Sequence, residues 1–307
     1  MSEVRYPTTQ SQAVWGQRRA GGTDVMDRLR HGRIAGALVD LRDVAGMEGL
    51  VVLPDGSVEV GTKVTLARFA TDAKVRAGWP GLADAVGGLA TPQIRQVATI
   101  GGSLLQRTRC AWFRSPDFSC HKSGGSGCPA LAADHHWNSI FGAGPCVAPH
   151  PSTLAVALLA FDALILADGR GTLTVPELYG DGQAADREHT LTDEQLLVGV
   201  RLPPPLPGAV SGWLRTAARA RAEWPLVEAV IRLVPGGMRV AVGGVAPVPM
   251  RFLAVEAALE AGEGVGAAAQ AVAGAASNPG SSYKVMLLQR TIETLLERLL
   301  TPQKAAP

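Results

Sequence analysis

The stretch from Val97 to Arg114, "VATIGGSLLQRTRCAWFR", joins a glycine-rich turn to a cysteine flanked by arginines. Consecutive glycines at 101 and 102 let backbone N–H groups approach an anion, because no Cβ stands in the way, and the hydroxyls of Thr99 and Ser103 add donors. A second run of the same kind, "AGGTD" at Ala20 to Asp24, stands upstream. Neither has the GxGxxG or Walker spacing, so neither supports a standard Rossmann or P-loop assignment, and each alone also reads as a plain turn.

Downstream of Cys110 lie Cys120, Cys128 and Cys146, which complete the cysteines of the chain. Their spacing is too open for a zinc ribbon or finger, where paired ligands sit two to four residues apart. An iron–sulfur cluster also takes four thiolates and accepts wide spacing when a folded loop gathers them. "SGGSG" and "GAGP" supply the turns for such a loop, and the segment shows no sustained period of 3.6 or 2. Arg107, Arg109, Arg114 and Lys122 surround the first two cysteines with only Asp117 opposing them, a field expected to favour thiolate. His121, His135, His136 and His150 keep a mixed Cys/His zinc site open, beside the bland reading of each as a hydrogen-bonded loop histidine. A disulfide framework is disfavoured without a secretory signal.

The chain has 307 residues, which suits two or three packed units. Lys and Arg total 29 against 27 acidic residues, spread without a basic stripe, and aromatics are 5%, so nucleic acid is not an expected partner. The first twenty residues hold no apolar core of a signal peptide, and "LAVALLAFDALILA" at 154–167 is shorter than a bilayer span and interrupted by Asp162. These features point to a protein without a membrane span and to the cytoplasm, or the periplasm if a folded complex is exported on a partner's signal.

"LVDLRDV" at 38–44 reads as a buried strand, and "LVVLPDGSVEVGT" at 50–62 as a hairpin turning at Asp55-Gly56. Pro80 is placed to start a helix, and residues 154–178 read as helix, strand, tight turn at Gly169 and Gly171, and strand. Beyond the stiff "LPPPLPG" at 202–208, "LVEAVIRLV" suits either a helix or a strand, followed by strands turning at Gly236-Gly237. A helix over "RFLAVEAALEAG" ending at Gly262 and an amphipathic C-terminal helix "YKVMLLQRTIETLLERLL" follow. The expected organisation is α+β: residues 1–60, residues 61–178 with the cysteine-rich loop at 106–150, and residues 179–307. No Ser/His/Asp motif, H-E-x-x-H or paired-carboxylate stretch is present, so the chemistry is expected from a bound cofactor.

"AGGTDVMDRLRHG", "VATIGGSLLQRTRCAWFR", the four cysteines, "HPSTLAVALLAFDA" and "VGGVAPVPMR", in that order, resemble the FAD-binding medium subunit of molybdenum hydroxylases, the xanthine dehydrogenase family. The likeness covers nearly the whole chain and is closest to the aldehyde-oxidoreductase type, whose flavin subunit carries an extra [4Fe–4S] cluster. It implies two α/β subdomains cradling FAD in a vanillyl-alcohol-oxidase-like fold, then a C-terminal α+β domain. It implies that Ala20, Gly21, Gly22, Thr23 and Asp24, with Thr99, Ile100, Gly101, Gly102 and Ser103, wrap the FAD diphosphate through backbone N–H groups. It further implies that Cys110, Cys120, Cys128 and Cys146 ligate the cluster, and that Thr153, Leu197 and Arg215 stand near the flavin. The implied partners in a heterotrimer are a molybdenum-cofactor large subunit and a [2Fe–2S] small subunit, whose electrons would pass through FAD here to an external acceptor.

The sequence departs from the family pattern at three of these positions. Ser103 stands for the usual Asn, Thr153 for a carboxylate, and Arg215 for Lys. Two other readings compete with the relay. One is a zinc-stapled nucleotide-binding protein without a redox role, and the other a flavin oxidase acting alone.

Overall fold

The computed structural model describes residues 3–34, 36–133, 136–142, 144–220, 222–234 and 236–301. Three short strands form a parallel sheet in the order β1-β3-β2: β1 (Val4–Arg5), β2 (Gln17–Arg19) and β3 (Leu38–Asp40). All three residues of β3 are buried, as a central parallel strand requires. Its partner β2 runs directly into the Ala20 to Asp24 loop, and the helix Val25–Arg30 follows.

A second, wholly antiparallel sheet has the order β4-β5-β8-β6-β7, with β4 (Leu50–Val52), β5 (Val58–Gly61), β6 (Leu164–Asp168), β7 (Gly171–Thr174) and β8 (Leu196–Leu202). The Asp55-Gly56 hairpin forms, with Gly56 at φ +84°. This sheet draws strands from each side of residues 60 and 178. Val58 to Gly61 pair with Gly199 to Leu202, because burial of Val58, Val60, Val200 and Leu202 in one core outweighs nearness in sequence. Helices Leu66–Thr71, Pro80–Gly88 and Thr153–Ala160 share that core. "TLAVALLA" at 153–160 is apolar on every face and is buried at every position, so it cannot be a surface helix.

The third sheet, order β12-β11-β10-β9, is antiparallel: β9 (Val210–Ala217), β10 (Pro225–Leu233), β11 (Arg239–Gly243) and β12 (Met250–Arg251). "LVEAVIRLV" is thus a strand. Every residue of β10 is buried, with the helix Tyr283–Leu300 and the helix Thr153–Ala160 both packed against the strand. The C-terminal helix presents Leu288, Ile292, Leu295 and Leu296 to this core, the stripe expected of its 3.6-residue period. The helix Leu253–Glu260 ends before Gly262, whose φ of +86° a β-carbon would oppose. Among the described residues no helix is long and apolar enough to cross a membrane.

Candidate cofactor cleft and thiol pocket

Two adjoining cavities of about 270 and 250 Å³ form one cleft, sharing Thr23, Asp24, Gly102 and Gln106. That is the scale of small-molecule and cofactor sites, ~300–1,000 Å³. The first cavity takes in Ala20, Gly21, Gly22, Thr99, Gly101 and Leu197, and the second Ser103, Thr153 and Arg215. Of the cofactor positions expected from sequence, Ile100 alone contributes no surface; its side chain is fully buried in the core.

The two glycine runs differ in what they offer. In the first, Gly22 has φ +74°, and a Cβ on Gly21 would lie 1.8 Å from the Val97 carbonyl oxygen, so the loop seats directly on the chain leading into the second run. Among the described residues the N–H groups of Gly21, Gly22 and Thr23 have no partner within the chain, which leaves them for an anion. In the second run the N–H groups are already engaged. Ile100 donates to Val64 O at 2.9 Å, Gly101 to Thr62 O at 2.9 Å, Ser103 to Thr99 O at 2.9 Å and Gly102 to Thr99 Oγ1 at 3.2 Å. Of the two runs expected to cradle an anion, the first keeps its N–H groups open and the second has them bonded within the chain. The second is the N-terminal turn of the helix Ile100–Leu104, and it presents the Thr99 hydroxyl and the bare Cα of Gly102 instead.

Cations line the first cavity, and motif reading passes over them. Arg18 is held to the backbone oxygens of Asp193 and Gln195, whereas Lys63 donates to Arg42 O at 2.6 Å and Val44 O at 2.7 Å and is ion-paired with Glu48 at 2.7 Å. Arg18 stands just ahead of the first loop, and neither it nor Lys63 carries a motif signal. In the second cavity Trp224 stacks under Arg109 at 4.3 Å, and Arg215 Nη2 donates to Gly88 O at 3.2 Å.

Asp24 ties the cleft to the cysteine segment. Its carboxylate accepts from Arg28 Nε at 3.0 Å and from Arg114 Nη2 at 2.6 Å, and lies 3.1 Å from Arg109 Nη2. Burial works against this anion, but Arg109 and Arg114 outweigh it and hold the carboxyl below the usual range. Arg114 also reaches Asp27 at 2.8 Å, and Arg107 and Lys122 pair with Glu188. The arginines near the cysteines therefore do not supply the open positive field expected from sequence. Their charge is matched by carboxylates up to 90 positions away.

Cys110, Cys120, Cys128 and Cys146 line one small pocket together with Trp112, Phe113 and His121. None is in a disulfide. The segment is a loop punctuated by single turns at Ala111–Arg114, His121–Ser123 and Pro129–Ala132, with Gly124 at φ +91° closing the second. Burial pushes the Cys110 and Cys146 thiols up, countered at Cys110 by the Phe113 and Trp112 N–H groups and at Cys146 by the Ala148 N–H and Lys122. Ser123 Oγ donates to Cys120 Sγ at 3.6 Å. Hydrogen bonds to the sulfurs are among the influences on an iron–sulfur cluster's potential. Among the described residues no three or more His, Cys, Asp or Glu side chains are grouped to hold a single metal ion.

His150 is fully buried with neither ring nitrogen partnered, and its ring meets Tyr179 edge-on at 4.4 Å. Burial drives its pKa down to about 3, so it is a neutral core histidine. His136 stacks on Tyr283 at 4.8 Å, and His135 lies outside the described residues. A third cavity of about 160 Å³ shares Glu188 and His189 with the cleft and Lys122 and Cys146 with the thiol pocket, so the two sites are near neighbours.

Residues 18–205 match the family described as the FAD binding domain in molybdopterin dehydrogenase. The chain is 33% identical over 291 residues to the aldehyde oxidoreductase FAD-binding subunit PaoB of Escherichia coli (strain K12), covering 90% of this chain and 89% of that one. It is 36% identical over 92 residues to the xanthine dehydrogenase FAD-binding subunit of Escherichia coli O157:H7, 28% of this chain and 30% of that one. Its fold is that of a chain of carbon monoxide dehydrogenase from Hydrogenophaga pseudoflava, with a TM-score of 0.74 at 18% identity over 97% of each chain. Quinoline 2-oxidoreductase from Pseudomonas putida 86 has a chain of the same fold, with a TM-score of 0.71 at 18% identity over 97% of this chain and 96% of that one. The chain belongs to the FAD-binding subunits of the molybdenum hydroxylases, and is an oxidoreductase subunit.

Proposed function

We propose that this chain is the electron-exit subunit of a heteromeric molybdenum hydroxylase, and that it holds FAD along the cleft and a [4Fe–4S] cluster in the thiol pocket. In this reading aldehyde or N-heterocycle substrates are oxidised on a molybdenum-cofactor large subunit. Electrons reach this chain from a [2Fe–2S] small subunit and leave to an external acceptor. FAD supplies the ability to take electrons singly and to release them singly or in pairs.

The chain's own residues provide binding and orientation. The Gly21, Gly22 and Thr23 N–H groups, with Arg18 beside them, suit a diphosphate. Leu197 gives an apolar wall, and the Thr153 hydroxyl and the Arg215 guanidinium stand at the other end of the cleft. Cys110, Cys120, Cys128 and Cys146 would hold the cluster. Their convergence on one pocket, with all four in thiol form and none in a disulfide, supports a shared inorganic centre. We favour a structural and tuning role for the cluster.

The single observation that carries the reading is Asp24, which belongs to the cleft and at the same time anchors Arg109 and Arg114 on either side of Cys110. The test is the whole complex stripped of FAD and assayed anaerobically. Substrate is expected to reduce the [2Fe–2S] centres while transfer to a soluble acceptor stops, and added FAD is expected to restore transfer. Substrate oxidation by the isolated chain would point instead to a flavin oxidase acting alone.

A further inference from the structure

Glu228 sits in the middle of β10, an interior strand of the third sheet, and is 1% exposed. Its neighbours along the strand, Leu226, Val227, Ala229 and Val230, are apolar, so it belongs to no charged face. The fold makes room for the carboxyl. Gly243 stands opposite on β11, where a Cβ would come within 2.8 Å of Glu228 Oε1 and within 2.7 Å of Val156. On β9, Arg215 is the register partner of Glu228, and Trp213 Nε1 donates to Oε2 at 3.2 Å. From the helix Thr153–Ala160 the Thr153 side chain faces the same carboxyl and favours its ionised form. Thr153 and Arg215 both line the second cavity of the cleft. Glu228 is therefore one side chain removed from the cleft, behind two of the positions where the sequence departs from the family pattern.

We propose that Glu228 is a positioning residue for the flavin, fixing Trp213 and Arg215 at the back of the cleft and placing a carboxyl one layer behind Thr153. This rests on FAD lying along the cleft as argued above. The groups facing Glu228 are Trp213 and Arg215 from β9, Thr153 from the helix and the bare Gly243 from β11. Burial, the largest influence, pushes the carboxyl up against the opposing pull of Thr153, Trp213 and Arg215. Once ionised, Glu228 places a negative charge behind the cleft and disfavours added electrons there.

The test is an anaerobic redox titration of bound FAD in the whole complex, from about pH 6 to about pH 9.5, a span wide enough for a raised carboxyl. Wild type, Glu228→Gln and Thr153→Val are compared, with FAD content and melting temperature read alongside. Glu228→Gln is expected to keep its FAD, to overlay wild type at the acid end and to hold a higher potential at the alkaline end. Thr153→Val is expected to shift the potential across the range. A purely structural Glu228 lowers the melting temperature and leaves both potential lines on the wild type, and that result overturns the proposal while leaving the FAD placement intact. A wild-type complex without FAD removes the placement and this inference together.

Discussion

Arg114 Nη2 donates to Asp24 Oδ1 at 2.6 Å and joins the loop that lines the cleft to the segment that carries the cysteines. The same guanidinium donates to Arg107 O at 3.0 Å, so one side chain fixes both the start of the thiol loop and the wall of the cleft. Two sites that look separate in sequence are in this way one mechanical unit.

Removing the Asp24 carboxylate leaves Arg28, Arg109 and Arg114 without their shared partner. Breaking a buried ion pair from one side costs about 3–5 kcal/mol. Asp24→Ala is expected to lower the melting temperature sharply and to lose FAD and iron together, with Asp24→Asn intermediate. Cofactor counts on the purified complex check this. Full iron with FAD missing would mean that Asp24 does not couple the sites.

Gly21 admits no side chain, since a Cβ would overlap the Val97 carbonyl at 1.8 Å, and at Gly101 it would press on Thr62 Cβ at 2.9 Å. Gly21→Ala is expected to displace the first loop and weaken FAD binding by about tenfold or more, a loss of roughly 1.4 kcal/mol. Gly266→Ala, where nothing lies within 4 Å, serves as the control and is expected to bind as wild type. Fluorescence titration of the FAD-depleted complex gives both affinities.

His150 should make the fold sensitive to acid. In the folded chain burial, helped by the charge on Lys122, lowers its pKa to about 3, against 6.5 for the ordinary side chain. The unfolded chain therefore binds the proton first, and stability falls as pH drops below about 6.5, by up to about 1.4 kcal/mol per pH unit, until about pH 3. Neither ring nitrogen has a partner, so His150→Leu breaks no hydrogen bond and is expected to flatten this part of the stability profile. Denaturant melts at several pH values measure the slope, and an unchanged slope in the variant would rule His150 out as its source.

Serine replacements separate a cluster from a zinc staple. A [4Fe–4S] cluster takes all four thiolates. Cys110→Ser, Cys120→Ser, Cys128→Ser and Cys146→Ser are thus expected to lose iron to a similar degree, seen as loss of the brown absorbance. A pattern in which two of the four are dispensable, with zinc retained, favours the staple.

Local features of the fold were legible where the signal is local. The Asp55-Gly56 turn announces its hairpin, Pro80 opens its helix as the first residue, and the unbroken apolar run at 154–160 could only be buried. The pairing of β5 with β8 was not legible, since nothing at Val58 to Gly61 names Gly199 to Leu202 as its partner. "LVEAVIRLV" stayed open between helix and strand because a continuous apolar run fits either, and packing on both faces of the sheet decides it. In the site, glycine and cysteine positions stood out by residue type. The arginines misled, because their carboxylate partners Asp24 and Glu188 lie 80 to 90 positions away and cancel the field they suggest. Glu228 was invisible as a site residue, although a lone carboxyl inside an apolar run is itself a signal of burial with a purpose.

The most direct measurement is a cofactor count on the complex purified without air, with metal, labile sulfide and FAD determined per copy of this chain after the iron of partner subunits is subtracted. One FAD and about four irons with matching sulfide are expected, the complement of a single [4Fe–4S] cluster beside the flavin. Bound FAD with zinc, or with no metal, in place of that iron would contradict the account of the thiol pocket.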